Sequence, residues 1–104
     1  MDRLSFAHDT ERALPGDRAD VLHGVVASGN LEVLMERVLP ATRCEVEIAT
    51  PLAGYDAVWE AVIADFVERA GPGGVRVSIN DGGAQPDTVM LRLLQAARLM
   101  EGTR

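Results

Sequence analysis

The sequence predicts a two-layer α/β (α+β) sandwich: one mixed β-sheet with two helices packed on one face. Three observations carry this. Residues 43–49 and 75–80 alternate apolar with polar side chains, the two-residue period of a strand with one wet face. Between them, residues 55–70 repeat apolar side chains at helical spacing, so the three segments form a right-handed βαβ crossover with parallel outer strands. Upstream, Ala27-Ser28-Gly29-Asn30 separates two apolar stretches. That is a hairpin signal, because Gly and Asn tolerate the positive φ of a tight primed turn.

Taken in order, residues 4–7 form a short first strand. Residues 8–19 are polar, charged and broken by Pro15-Gly16, and read as a loop or mobile arm. Residues 22–27 form the strand before the Ser28 turn. Residues 31–39 are ambiguous: Leu31, Leu34, Met35 and Val38 fall at helical spacing and Asn30 would cap a helix, but the turn favours a strand. The strand is preferred, and Pro40 ends the element either way. In residues 43–49, Cys44, Val46 and Ile48 face inward, and the strands preceding the crossover are antiparallel. The first helix carries its stripe on Val58, Trp59, Val62, Ile63, Phe66 and Val67, and Gly71-Pro72-Gly73-Gly74 stops it. Val77 and Ile79 point inward from the last strand. Asp81-Gly82-Gly83 then turns into a second helix at 88–101, capped by Asp87 or Thr88, with Met90, Leu93, Leu94, Ala97 and Met100 inward.

The chain has 104 residues, enough for one domain spanning 1–104. Hydrophobic residues are 47% and aromatics 4%, so the core is aliphatic. The net charge is −6, and all the cationic side chains are scattered arginines. A nucleic-acid or anionic-membrane partner, which needs clustered cations, is not expected. One cysteine, no leader-like N-terminus and no apolar run of about 20 residues point to a cytoplasmic protein.

The sequence offers little catalytic machinery. A nucleophilic serine needs a base and an orienting group, yet the two histidines, His8 and His23, lie in the 8–19 loop and in a strand away from the turn. No Gly-x-Ser-x-Gly elbow is present. No catalytic residue and no metal ligand is assigned: Cys44 reads as a small core residue, and Glu45 and Glu47 as a wet strand face. Gly82-Gly83 precedes a helix and could offer amides to a phosphate, but no lysine accompanies it. Ser28 stands out as one hydroxyl displayed on a rigid scaffold. From spacing alone it is either an attachment point or an ordinary turn residue.

A resemblance separates these readings. Gly24-Val25-Val26-Ala27-Ser28-Gly29-Asn30-Leu31-Glu32-Val33-Leu34 resembles the serine-bearing segment of the malonate decarboxylase delta subunit family, the acyl carrier proteins of those complexes. Val77-Ser78-Ile79-Asn80-Asp81-Gly82-Gly83-Ala84-Gln85-Pro86, with Val89 through Arg92-Leu93, is similar to the family's second signature. The citrate lyase gamma chain is a more distant likeness. The resemblance spans residues 22–102.

It implies a non-catalytic carrier. Ser28 would hold 2'-(5''-triphosphoribosyl)-3'-dephospho-CoA through a phosphodiester, and the thiol of that arm would carry acetyl or malonyl while malonate becomes acetate and CO2. The implied partners are the acyl-transferring alpha and the decarboxylating beta and gamma subunits, a malonyl transferase and the prosthetic-group transferase. An acidic carrier surface suits steering toward basic docking patches. Phosphopantetheine carriers with an Asp-Ser-Leu serine on a helical bundle do not fit. Family members often have Asp where this chain has Asn30, which removes one charge beside the phosphodiester. Asp81 and Arg92 fall on the family pattern, each also readable as a turn former or a surface helix charge. Two other readings stand beside this one: a citrate lyase carrier, and a structural subunit whose Ser28 is never modified.

Overall fold

The computed structural model describes residues 1–102. Strands β1 (Asp2–Asp9), β2 (Asp20–Gly24), β3 (Leu31–Arg37) and β4 (Arg43–Thr50) precede helix α1 (Asp56–Ala70), strand β5 (Val75–Asp81) and helix α2 (Pro86–Met100). They build one five-stranded sheet in the order β1-β4-β5-β3-β2. β4 and β5 are parallel, as their crossover through α1 requires, and the other three pairings are antiparallel.

Alternation decides which face is buried. Leu31, Val33 and Met35 of β3, Cys44, Val46 and Ile48 of β4, and Val75, Val77 and Ile79 of β5 form the sheet side of the core. Their neighbours Glu32, Glu36, Glu45, Glu47, Arg76 and Ser78 lie on the open face, where Arg76 pairs with Glu36 at 3.2 Å. The helical spacing within residues 31–39 is therefore coincidental: Leu34 and Val38 stay outside the core, and the strand reading holds. Trp59, Ile63 and Phe66 of α1 and Val89, Leu93, Ala96, Ala97 and Met100 of α2 close the other side. An apolar interior of this kind supplies most of the driving force for folding. No helix among the described residues is long and apolar enough to cross a membrane.

Several boundaries differ from the sequence reading, each for a local reason. His8 and Asp9 are not loop residues; they extend β1, pairing with Cys44 and Arg43. The rest of the 8–19 segment is anchored: Leu14 is buried in the core and its amide bonds to Gly73 O at 2.9 Å. Arg37 fixes the same stretch, its guanidinium donating to the carbonyls of Leu14, Pro15, Arg18 and Met100. β2 stops at Gly24 instead of Ala27, because Gly24 takes φ +86° and a side chain there would strike the Leu31 carbonyl. Val58 is 42% exposed, outside the α1 stripe that was expected to include it. α2 begins at Pro86 with neither Asp87 nor Thr88 as cap: proline's fixed φ suits the first helical position, and Gln85 is the residue before it.

Candidate functional site

Residues 25–30 join β2 to β3 at the end of the sheet where β5 terminates. Asn30 N–H donates to Ala27 O at 2.9 Å, closing a four-residue turn with Ser28 and Gly29 in its middle. Only Gly29 has positive φ, +75°, and Ser28 does not. This is the signature of a type II turn, with glycine at the third position. The expected primed turn, with positive φ shared by Gly and Asn, is not formed. The longer connection removes the need for it, since the strands need not reverse within two residues. Ser28 is exposed, and the space beside Gly29 is open.

The turn is held from below. Gly29 N–H donates to Gly82 O at 3.1 Å and Gly82 N–H donates to Asn30 O at 2.8 Å. Gly82 packs so close to the Ala27 carbonyl that no side chain fits. Here glycine serves backbone approach between two loops, and the Gly82 amide is engaged by Asn30 O. Gly82 stays in place because Asp81 is fixed. Its carboxylate, 5% exposed, accepts from the Thr50 hydroxyl at 2.8 Å and from Ala84 N–H at 2.9 Å. Asp81 is thus the structural post of the site, tying β4, β5 and the following loop together.

A second brace comes from α2. Asn30 Oδ1 accepts from Leu31 N–H at 2.8 Å and from Arg92 Nε–H at 3.2 Å. Arg92 also donates to Gln95 Oε1 at 3.0 Å, and the same oxygen meets His23 Nε2 at 2.8 Å. Arginine has only donors, so Gln95 presents its oxygen and His23 must donate from Nε2. His23 therefore has a partner that the sequence did not reveal, and it serves as a strut. The tie between Asn30 and Arg92 spans 62 positions, with no local sequence signal to betray it.

At the turn Ser28 presents an exposed hydroxyl. His8 pairs along β1 with Cys44 at the far end of the sheet. Cys44 is buried, and burial first, then the Glu45 charge, push its thiol up to about 12, which keeps it protonated and inert. Among the described residues no three His, Cys, Asp or Glu side chains group as a metal site. Beside the Asp81 loop an apolar groove of about 280 Å³ runs between the N-terminal ends of the helices, with Leu52, Tyr55 and Val58 on its rim.

The sequence and the fold are both similar to those of known proteins. The family model described as malonate decarboxylase delta subunit (MdcD) matches residues 18–100. A malonate decarboxylase acyl carrier protein of Bradyrhizobium diazoefficiens is 57% identical over 98 residues, covering 94% of this chain and 93% of that one. One from Burkholderia cepacia is 50% identical, covering 90% and 95%. One from Xanthomonas euvesicatoria is 46% identical, covering 98% and 97%. Among solved structures, a chain of a Pseudomonas malonate decarboxylase hetero-tetramer in complex with malonate superposes with a TM-score of 0.84. It is 29% identical, over 96% of this chain and 99% of that one.

Proposed function

The chain belongs to the malonate decarboxylase delta subunit family, and from that premise we propose that it is a non-catalytic acyl carrier whose Ser28 is the point of prosthetic-group attachment. The observation that carries this reading is the contrast at the site. The hydroxyl is exposed on a turn braced from two sides, while His23 is tied to Gln95 and His8 lies at the far end of the sheet. Such a serine is a poor catalyst and a good anchor.

The residues fit a bulky phosphodiester adduct. Ser28 is exposed, open space flanks Gly29, and the Gly82 and Asn30 contacts lie beneath the backbone without capping the side chain. When bound, the dephospho-CoA arm supplies a thiol that holds acetyl or malonyl as a thioester. Ser28 Oγ is the nucleophile for loading. It would attack the innermost phosphorus of a triphosphate precursor, with its proton passing to the loading enzyme and pyrophosphate leaving. Afterwards the turn serves as a rigid pivot. A tethered group samples a small volume, which raises its effective concentration at the transferase and decarboxylase subunits of a malonate decarboxylase complex.

The test is the Ser28→Ala chain assembled with its partner subunits. Malonate turnover should vanish while circular dichroism and denaturation midpoint stay unchanged, because an exposed hydroxyl contributes within about 0.5 kcal/mol. Normal turnover by that complex would remove Ser28 from the role.

A further inference from the structure

From the bracing of the Ser28 turn by α2 we infer that Arg92 is an anion-binding residue that holds the phosphodiester formed at Ser28. The inference rests on the Ser28 reading and extends it to a second residue. Arg92 is half-buried and held in place, since its side chain donates to Asn30 Oδ1 at 3.2 Å and to Gln95 Oε1 at 3.0 Å. Both partners are neutral amides. Among the described residues Arg43, Arg69 and Arg76 each pair with a carboxylate, and no carboxylate pairs with Arg92.

Arg37 is likewise held by neutral oxygens, but four carbonyls tie it off, whereas Arg92 has two amide partners and one of them belongs to the Ser28 turn. Hydrogen bonds to neutral oxygens leave the charge of a partly desolvated guanidinium uncompensated, and an anion adds the Coulomb attraction that they do not supply. The guanidinium reaches the turn through a single link, because the Asn30 that it grips closes the turn on Ala27 at 2.9 Å, two residues beyond Ser28. The planar donor set of arginine suits a phosphate oxygen better than a lysine ammonium would. The ligand class is therefore a singly charged phosphodiester, and the same cation would steer the anionic precursor toward the hydroxyl during loading.

The experiment uses the full chain, unloaded and loaded by its host, with peptide mass locating the adduct. In the wild-type chain the Arg92 Nε–H resonance should move on loading, and the melting temperature should rise by about 2–4 °C at low salt, with the rise shrinking at high salt. In Arg92→Gln the rise should disappear, and in Arg92→Lys it should return only in part. An adduct on Ser28 with a stationary Arg92 signal, or with an equal rise in the wild type and Arg92→Gln, overturns this inference and leaves Ser28 as the anchor. A Ser28 that is not loaded overturns both. The wild-type resonance decides the matter even if the Arg92 variants fold poorly.

Discussion

Gly29 and Gly82 are hydrogen bonded across two loops: the Gly29 amide donates to the Gly82 carbonyl at 3.1 Å. The two glycines are needed for different reasons, and substitution separates them. Gly29→Ala meets no neighbour but must hold φ +75°, which costs about 1–2 kcal/mol. Gly82→Ala drives a methyl into the Ala27 and Asn30 carbonyls and should cost about 1–3 kcal/mol while prising the turn from its support. Urea denaturation gives both costs. Loading of Ser28 by the transferase should suffer more in Gly82→Ala, because there the presentation of the turn changes and not only its strain.

Asp81→Ala leaves the Thr50 hydroxyl and the Ala84 amide without their acceptor. The buried Thr50 hydroxyl so orphaned costs about 1–3 kcal/mol, and the part-buried Ala84 amide costs less because water reaches it. Asp81→Asn keeps one acceptor oxygen and should lose less. Denaturation midpoints of the two variants check the order, and amide exchange at Ala84 reports the local opening.

Arg37→Ala removes four hydrogen bonds that gather residues 14–18 and the end of α2 onto β3. A charge-assisted hydrogen bond contributes about 1.5–3 kcal/mol, and rehydration of the exposed carbonyls offsets part of the loss. The variant should be destabilised by at least that of one such bond, and proteolysis should begin within residues 10–19. Arg37→Lys, with a point charge in place of a planar fork, should restore only part of the stability.

These residues mark where the sequence was legible and where it was not. β4 and β5 could be read because each has one wet face, so Cys44-Glu45-Val46 and Val77-Ser78-Ile79 announce a strand by period alone. α1 was legible from its stripe and from Gly71, which caps it in the left-handed conformation at φ 58°. Leu14 was not legible, because a single apolar residue in a polar run gives no period, and only the assembled fold shows the space it fills. Arg37 ends a strand and looks like any surface charge until the carbonyls of residues 14–18 and of the end of α2 converge on it. At the site, Ser28 and Gly29 stood out locally as turn residues. Asn30, Arg92, Gln95 and His23 form a brace only because α2 packs on β2 and β3, a relation that no window of sequence contains.

Cys44 makes stability depend on pH. Burial, and to a lesser degree Glu45, push its thiol up from 9.0 to about 12 in the folded chain. Its contribution is fully present below pH about 9. Above that the unfolded chain releases the proton while the folded chain keeps it, so the contribution is lost as pH rises toward about 12. Urea midpoints should fall as pH rises above about 9 toward about 12, and the fall should be shallower in Cys44→Ala despite its weaker packing. In the native state at neutral pH the thiol should resist alkylation and react only on unfolding.

What is bonded to the Ser28 side-chain oxygen decides the carrier role, and mass spectrometry of the Ser28 peptide reads that directly. In complex purified from cells actively consuming malonate, the peptide should carry the mass of a phosphoribosyl-dephospho-CoA adduct fixed to Ser28. An active complex whose Ser28 peptide has only its unmodified mass would contradict the account.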